Sequence, residues 1–149
     1  MARYAVNAAH MIWQQHKLEI PVNAADVAHA LGLQVFYMPI RSLAGVLLPE
    51  EDHFLLGVNQ FQGKGRRNFT IAHEIGHYLL HLGLQPSFAC GNLTQPIGHL
   101  EYQANQFAVE LLMPFTIVQR LSELPAENLA KRFSVSNQAM TIRLQEVNA

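Results

Sequence analysis

Apolar positions along the chain change period several times, and each change marks an element. Ala5, Ala8, Ala9 and Ile12 fall on one stripe and predict a first amphipathic helix. Asn23, after Pro21, is placed to cap a second helix running to Leu31 before Gly32. Three short β candidates follow, at Leu33 to Met38, Ala44 to Leu48 and Phe54 to Val58, separated by Pro39, Pro49 and acidic turn residues. Their order suggests a small antiparallel sheet. Helical spacing resumes at Phe69, Ile71, Ala72, Ile75, Leu79 and Leu80, with Asn68 or Thr70 near the start, Gly83 as the stop, and Gly63-Lys64-Gly65-Arg66-Arg67 read as an exposed turn. From Leu84 to Gly98 the chain carries Pro86, Gly91, Pro96 and Gly98, an irregular connection suited to one wall of a cleft. A helix then opens near His99, buries Ala104, Phe107, Ala108, Leu111 and Leu112, and ends at Pro114. In the tail, Pro125 to Asn148 reads as two short helices around Phe133-Ser134-Val135 with Ser136 as a cap, which is helix-turn-helix spacing.

These elements describe an α+β fold, a three-stranded antiparallel sheet packed on a mostly helical body. At 149 residues, half of them hydrophobic, the chain is expected to form one domain over 1–149, with 123–149 as a helix-turn-helix-like tail packed into it. Ten Lys and Arg against eleven Asp and Glu leave a formal charge of −1, which names no nucleic acid or anionic lipid as partner. The tail has the same balance: Lys131, Arg132 and Arg143 face Glu123, Glu127 and Glu146. Direct DNA binding is therefore not expected; the tail is read as packed structure or as a docking surface for a partner. The single Cys90 excludes an intramolecular disulfide and is read as an ordinary loop or core thiol. Arg3, Asn7, His10 and Gln14 break any apolar run at the start, so neither a signal peptide nor a membrane span is expected, and the cytoplasm is the default compartment.

The chemistry concentrates in His73-Glu74-Ile75-Gly76-His77. On a helix the two imidazoles lie about 40° apart and ~6 Å along the axis, able to share one metal ion. Glu74 flanks the same face, close enough to take a proton from water in the open position of such a site. The last strand runs almost directly into this helix, so the sheet is expected beside the metal, where an extended peptide can add to a free edge.

A third ligand is required. Candidates are His81, Cys90, His99 and Glu101. His81 drifts a further turn along the same helix, away from convergence with both other histidines. Spacing leaves His99 and Cys90 open. Glu101 is preferred because it begins a separate helix beyond the loop, and two histidines with a glutamate form the thermolysin-type catalytic set. Asn105, one turn after Glu101, is placed to hold a ligand histidine through its second ring nitrogen. Tyr78, His81, His99 and Tyr102 are all eligible as an oxyanion donor.

Asn68-Phe69-Thr70-Ile71-Ala72-His73-Glu74-Ile75-Gly76-His77-Tyr78-Leu79-Leu80-His81, with Glu101-Tyr102-Gln103-Ala104-Asn105-Gln106-Phe107-Ala108 and Leu111-Leu112-Met113-Pro114, resembles the ImmA/IrrE family of zinc metallopeptidases, over nearly the whole chain. The resemblance implies a zincin-like, gluzincin-like domain with one zinc per chain, bound by His73, His77 and Glu101, and Glu74 as catalytic base. It further implies a protein substrate, typically a helix-turn-helix repressor, in some members encoded beside the peptidase as a toxin-antitoxin-like pair. The alternative is a zinc-containing regulator that does not hydrolyse and acts by binding a repressor or DNA.

Overall fold

The computed structural model describes residues 3–85, 87–91 and 98–149. Pro86 and Pro96, named above as breakers in the loop, lie outside them. In chain order the elements are α1 (Arg3–His16), α2 (Ala24–Ala30), β1 (Leu33–Met38), β2 (Gly45–Pro49), β3 (Phe54–Asn59), α3 (Lys64–Leu80), β4 (Phe88–Cys90), α4 (His99–Leu112), α5 (Phe115–Arg120), α6 (Ala126–Phe133) and α7 (Asn137–Val147). The class is α+β, as expected.

The sheet differs from the expected three antiparallel strands. Four strands among the described residues run in the order β1-β3-β2-β4, and β1 pairs with β3 in parallel while the β2–β3 and β2–β4 pairs are antiparallel. Alternation identifies a strand but carries no information on its direction or neighbour. Here the tight turn closed by Glu50 N–H donating to His53 O pairs β2 with β3, and β1 takes the opposite side of β3. The three residues of β4 are too few to show a period, and they sit in a stretch whose composition reads as loop. A consequence concerns the free edge. β3, which leads into α3, is covered on both sides, and the edge strands of the described sheet are β1 and β4.

Two caps form where the sequence places them. Asn23 Oδ1 accepts from Asp26 N–H at 3.2 Å, and Ser136 Oγ accepts from Ala139 N–H at 3.1 Å, each worth about 1 kcal/mol. Helix α3 starts earlier than expected, because the supposed exposed turn from Lys64 onward is its first turn. Asn68 is accordingly interior and buried. Its Oδ1 accepts from Ala24 N–H at 2.8 Å, and its Nδ2 donates to Val22 O at 3.0 Å and Ser134 O at 3.1 Å, tying α2 and the α6–α7 turn to α3. Gly65 permits the same junction: a Cβ there would stand 2.6 Å from the Val135 carbonyl carbon.

The hydrophobic core is a continuous cluster running from Ala5, Ala9 and Ile12 through Leu47, Leu56 and Ile75 to Phe107, Leu111, Phe133 and Met140. Buried within this assembly, Glu110 gathers four elements. Its carboxylate accepts from Arg143 Nη2 of α7 at 2.5 Å and from the Phe115 N–H that opens α5 at 3.2 Å, and it meets His10 Nε2 of α1 at 2.6 Å. Arg143 also donates from Nε to Met113 O at 2.9 Å. Replacing Glu110 by Ala leaves a buried guanidinium without its main partner, and is expected to cost about 3–5 kcal/mol in urea denaturation. A loss under about 1 kcal/mol, the scale of an exposed pair, would contradict this role.

Candidate metal centre

Helix α3 presents His73, Glu74 and His77 on its inner face, and α4 lies across it. Gly76 makes that crossing close, since a Cβ there would sit 3.2 Å from both the Cα and the carbonyl oxygen of Ala104. Glu101, one turn earlier on α4, is thereby set against both imidazoles. His73 Nε2 lies 2.8 Å from Glu101 Oε2, and His77 Nε2 lies 3.0 Å from Glu101 Oε1.

The other ring nitrogens face away from this cluster and are occupied. His73 Nδ1 and Asn105 Oδ1 are 2.7 Å apart, the contact expected of Asn105 from its spacing. His77 Nδ1 meets His81 Nδ1 at 2.9 Å, His81 Nε2 meets Gln103 Oε1 at 2.7 Å, and Gln103 Nε2 reaches His99 Nε2 at 3.2 Å. Read outward, each nitrogen can donate to the next acceptor, which leaves both Nε2 lone pairs turned toward Glu101. His81 is therefore an outer support of His77, and His99 ends the chain at the surface. Phe88 of β4 stacks on the His77 ring at 3.9 Å between centroids and 12° between planes. Gln103 and Phe88 escaped the sequence reading, although the spacing of His77 and His81, four apart on a helix, was a usable signal.

Cys90, read from the sequence as an ordinary thiol, is part of the cluster. Its Sγ lies 3.4 Å from His73 Nε2, 3.5 Å from Glu74 Oε1 and 3.7 Å from Glu101 Oε1. Donor atoms of His73, His77, Cys90 and Glu101 all fall within 4.8 Å of one another. Of the residues eligible as oxyanion donors, His81 has both nitrogens engaged, Tyr78 packs edge-on against Phe54, and Tyr102 is exposed.

Electrostatics separate these groups. Burial pushes the Glu74 carboxyl up to about 7 against the opposing pull of His73 and Cys90. Its side chain is fully buried, with Oε2 lacking any partner, and a Cβ on Gly45 would come within 3.0 Å of that oxygen. Burial also works to lower His73, but the Glu101 hydrogen bond, the Glu74 and Glu101 charges and Asn105 together outweigh it, so its pKa rises. Burial holds His77 below its usual value. Glu101, despite burial, is kept well below the usual carboxylate range by the two histidines. Their contact thus favours the charged form of both His73 and Glu101.

These residues fit a divalent cation. His77 Nε2 is buried, aimed at Glu101, and makes no hydrogen bond. Two imidazole nitrogens and a carboxylate, with a thiol beside them, are donors that such an ion satisfies.

From the cluster a cleft of about 370 Å³ extends between α3, α4 and α7, with Phe69, Val109, Met113 and Ile142 among its lining.

Two outcomes follow for metal binding. Asn105→Ala and His81→Ala should each weaken affinity by about 10–100-fold in competition with a chromophoric chelator, because each releases one imidazole of the cluster. Unaltered affinity in both would mean the outer contacts are incidental. Metal uptake also competes with protonation of His73. Because that pKa is raised, affinity should fall as pH drops from values above the ordinary 6.5, by about tenfold per pH unit for one displaced proton. Calorimetry in buffers of different ionisation enthalpy counts the proton, and a flat profile would contradict the pairing.

Comparison with known proteins agrees with this geometry. Residues 28–145 match the Peptidase_M78 family model, described as the IrrE N-terminal-like domain. Metallopeptidase ImmA of Bacillus subtilis (strain 168) is 28% identical over 103 residues, 66% of this chain and 59% of that protein. Uncharacterized immunity region protein 2 of Bacillus phage phi105 is 33% identical over 63 residues, 42% of this chain and 40% of its own length. The chain thus spans about three-fifths or less of the length of these curated relatives. The family match runs from α2 into α7 and encloses every donor of the cluster, and by that match the chain belongs to the Peptidase_M78 family as an IrrE N-terminal-like domain.

Proposed function

We propose that the protein is a zinc-dependent endopeptidase, with one zinc per chain held by His73, His77 and Glu101 and with Glu74 as the general base. The observation that carries this reading is the pairing of two kinds of carboxylate in one pocket: Glu101, ionised beside the two histidines, and Glu74, buried with an unpartnered oxygen and a carboxyl raised to about 7. A zinc ion bound there supplies Lewis acidity, polarising the scissile carbonyl and making water acidic enough to attack near neutral pH. Glu74 is matched to the proton transfers. It accepts the proton of the attacking water and returns it to the departing amine. Asn105 and His81 hold the ligand rings in place through their outer nitrogens. Phe69, Val109, Met113 and Ile142 offer an apolar channel beside the cluster in which a substrate chain can lie.

The substrate proposed is a protein, a helix-turn-helix repressor or antitoxin-like partner. Support comes from the family resemblance and from the phage relative, which is named an immunity region protein. The alternative is a non-hydrolytic regulator that binds such a repressor or DNA. Two observations weigh against it. A structural zinc site has no use for a buried, unpartnered carboxylate such as Glu74. In the tail, Arg143 is buried against Glu110, and Ser136, Ala139, Ile142 and Glu146 of the second tail helix border the cleft. That face is not offered to phosphates. No described helix is long and apolar enough to cross a membrane.

Glu74→Gln is expected to retain metal and lower peptide hydrolysis by about 10²–10⁴-fold, whereas His77→Ala loses both. Turnover by the Glu74→Gln protein at the unaltered rate would remove this mechanism, and metal binding without any cleavage by the parent protein would favour the alternative.

A further inference from the structure

We infer that Cys90 is a fourth protein ligand of the metal, so that the loaded centre rests closed by His73, His77, Glu101 and Cys90 and hydrolysis waits on the departure of the Cys90 sulfur. The inference builds on the metallopeptidase reading above and adds a control to it.

Distances support a coordination set over a chance thiol. With zinc–sulfur bonds of about 2.3 Å and zinc–nitrogen bonds of about 2.0–2.1 Å, a tetrahedral ion sets sulfur roughly 3.5 Å from a neighbouring imidazole nitrogen. Cys90 Sγ stands 3.4 Å from His73 Nε2 and 3.7 Å from Glu101 Oε1. Independently, the buried His77 Nε2 has no hydrogen-bond partner and points into the same group of donors, whose ligand atoms share a 4.8 Å envelope. Four donors of three types converge on one point, which an uncoordinated core cysteine has no reason to join.

The backbone holds the sulfur at this station. Cys90 pairs with Gly45 across the β2–β4 ladder, and its carbonyl accepts from Ala44 N–H at 2.8 Å. Two residues earlier Phe88 stacks on His77, so ligand ring and cysteine strand are set by one short element. Catalytic zinc keeps one position open, whereas a fully protein-ligated ion is structural. Cys90 converts the first kind into the second. The conversion is reversible: β4 is three residues long and, among the described residues, pairs only with β2, so a shift of this edge strand withdraws the sulfur and frees the fourth position. On binding, the thiol gives up its proton to solvent and ligates as thiolate, and on release the thiolate regains it.

Cobalt(II) in place of zinc reports the sulfur directly. The cobalt protein should show an intense near-ultraviolet sulfur-to-metal band, kept in Glu74→Gln and lost in Cys90→Ala, which still binds one cobalt. On a casein-derived peptide mixture, zinc-loaded Cys90→Ala should turn over about tenfold faster or more if the closed form holds some nine molecules in ten. Cobalt bound without that band overturns Cys90 ligation and leaves the peptidase reading intact. Neither cobalt nor zinc bound overturns both. A band with no gain in turnover for Cys90→Ala overturns the closed resting state. Should the Ala variant not fold, X-ray absorption of the zinc-loaded parent decides: one sulfur at about 2.3 Å supports the inference, and a shell of nitrogen and oxygen alone overturns it.

Discussion

The close crossing of α3 and α4 at Gly76 is the constraint on which the rest of the molecule depends. A helix can place two histidines one turn apart, but it cannot by itself bring a third donor to the same point from the same side. Ala104 against Gly76 lets the two backbones approach until the Glu101 carboxylate spans both imidazoles at 2.8 and 3.0 Å. Even one methyl group on Gly76 would press on the Ala104 backbone, which has no flexible end to yield. The glycine inside the motif is therefore a packing requirement of the site as much as a feature of the helix.

Around that crossing the polar groups are arranged so that burial acts selectively. Glu101 remains ionised because His73 and His77 lie beside it, while Glu74, equally near the centre and deeper, has its carboxyl raised to about 7. Two carboxylates of the same chemistry are thereby held at opposite ends of the carboxylate range. The outer contacts of Asn105 and of His81 with Gln103 serve the same division, since they engage the histidine nitrogens that face away from Glu101. Farther out, Glu110 links α1, α4, α5 and α7, and the tail becomes a wall of the cleft. Its two helices pack on each other, and Asn68 and Gly65 of α3 meet the turn between them.

Much of this was legible in local pattern. Helical periodicity located α1, α3 and α4, Asn23 and Ser136 announced their caps, and the His73, Glu74, His77 spacing on a helix named a metal site before any fold was known. Glu101 and Asn105 were readable because a fresh helix one loop away brings its first two turns to the same place, and the structure sets both against His73. Strand neighbours were not readable. The parallel pairing of β1 with β3 and the insertion of β4 depend on contacts between distant segments, and short apolar runs look the same in either direction. The first turn of α3 was misread because Gly63, Gly65 and two arginines imitate an exposed turn, whereas the glycine is there to admit Val135 and Ser136.

By itself the sequence determined the elements, the caps and the residue types able to bind a cation, since each rests on spacing within a few turns of chain. Only the tertiary structure decided which of His81, Cys90, His99 and Glu101 meet His73 and His77. His81 and His99 were drawn into an outer hydrogen-bond chain, and Cys90 was carried into the centre by an edge strand too short to leave a pattern. The reason is physical: distance along a helix follows from its pitch, but the approach of one element to another follows from packing, where a missing Cβ or a buried carboxylate sets the geometry.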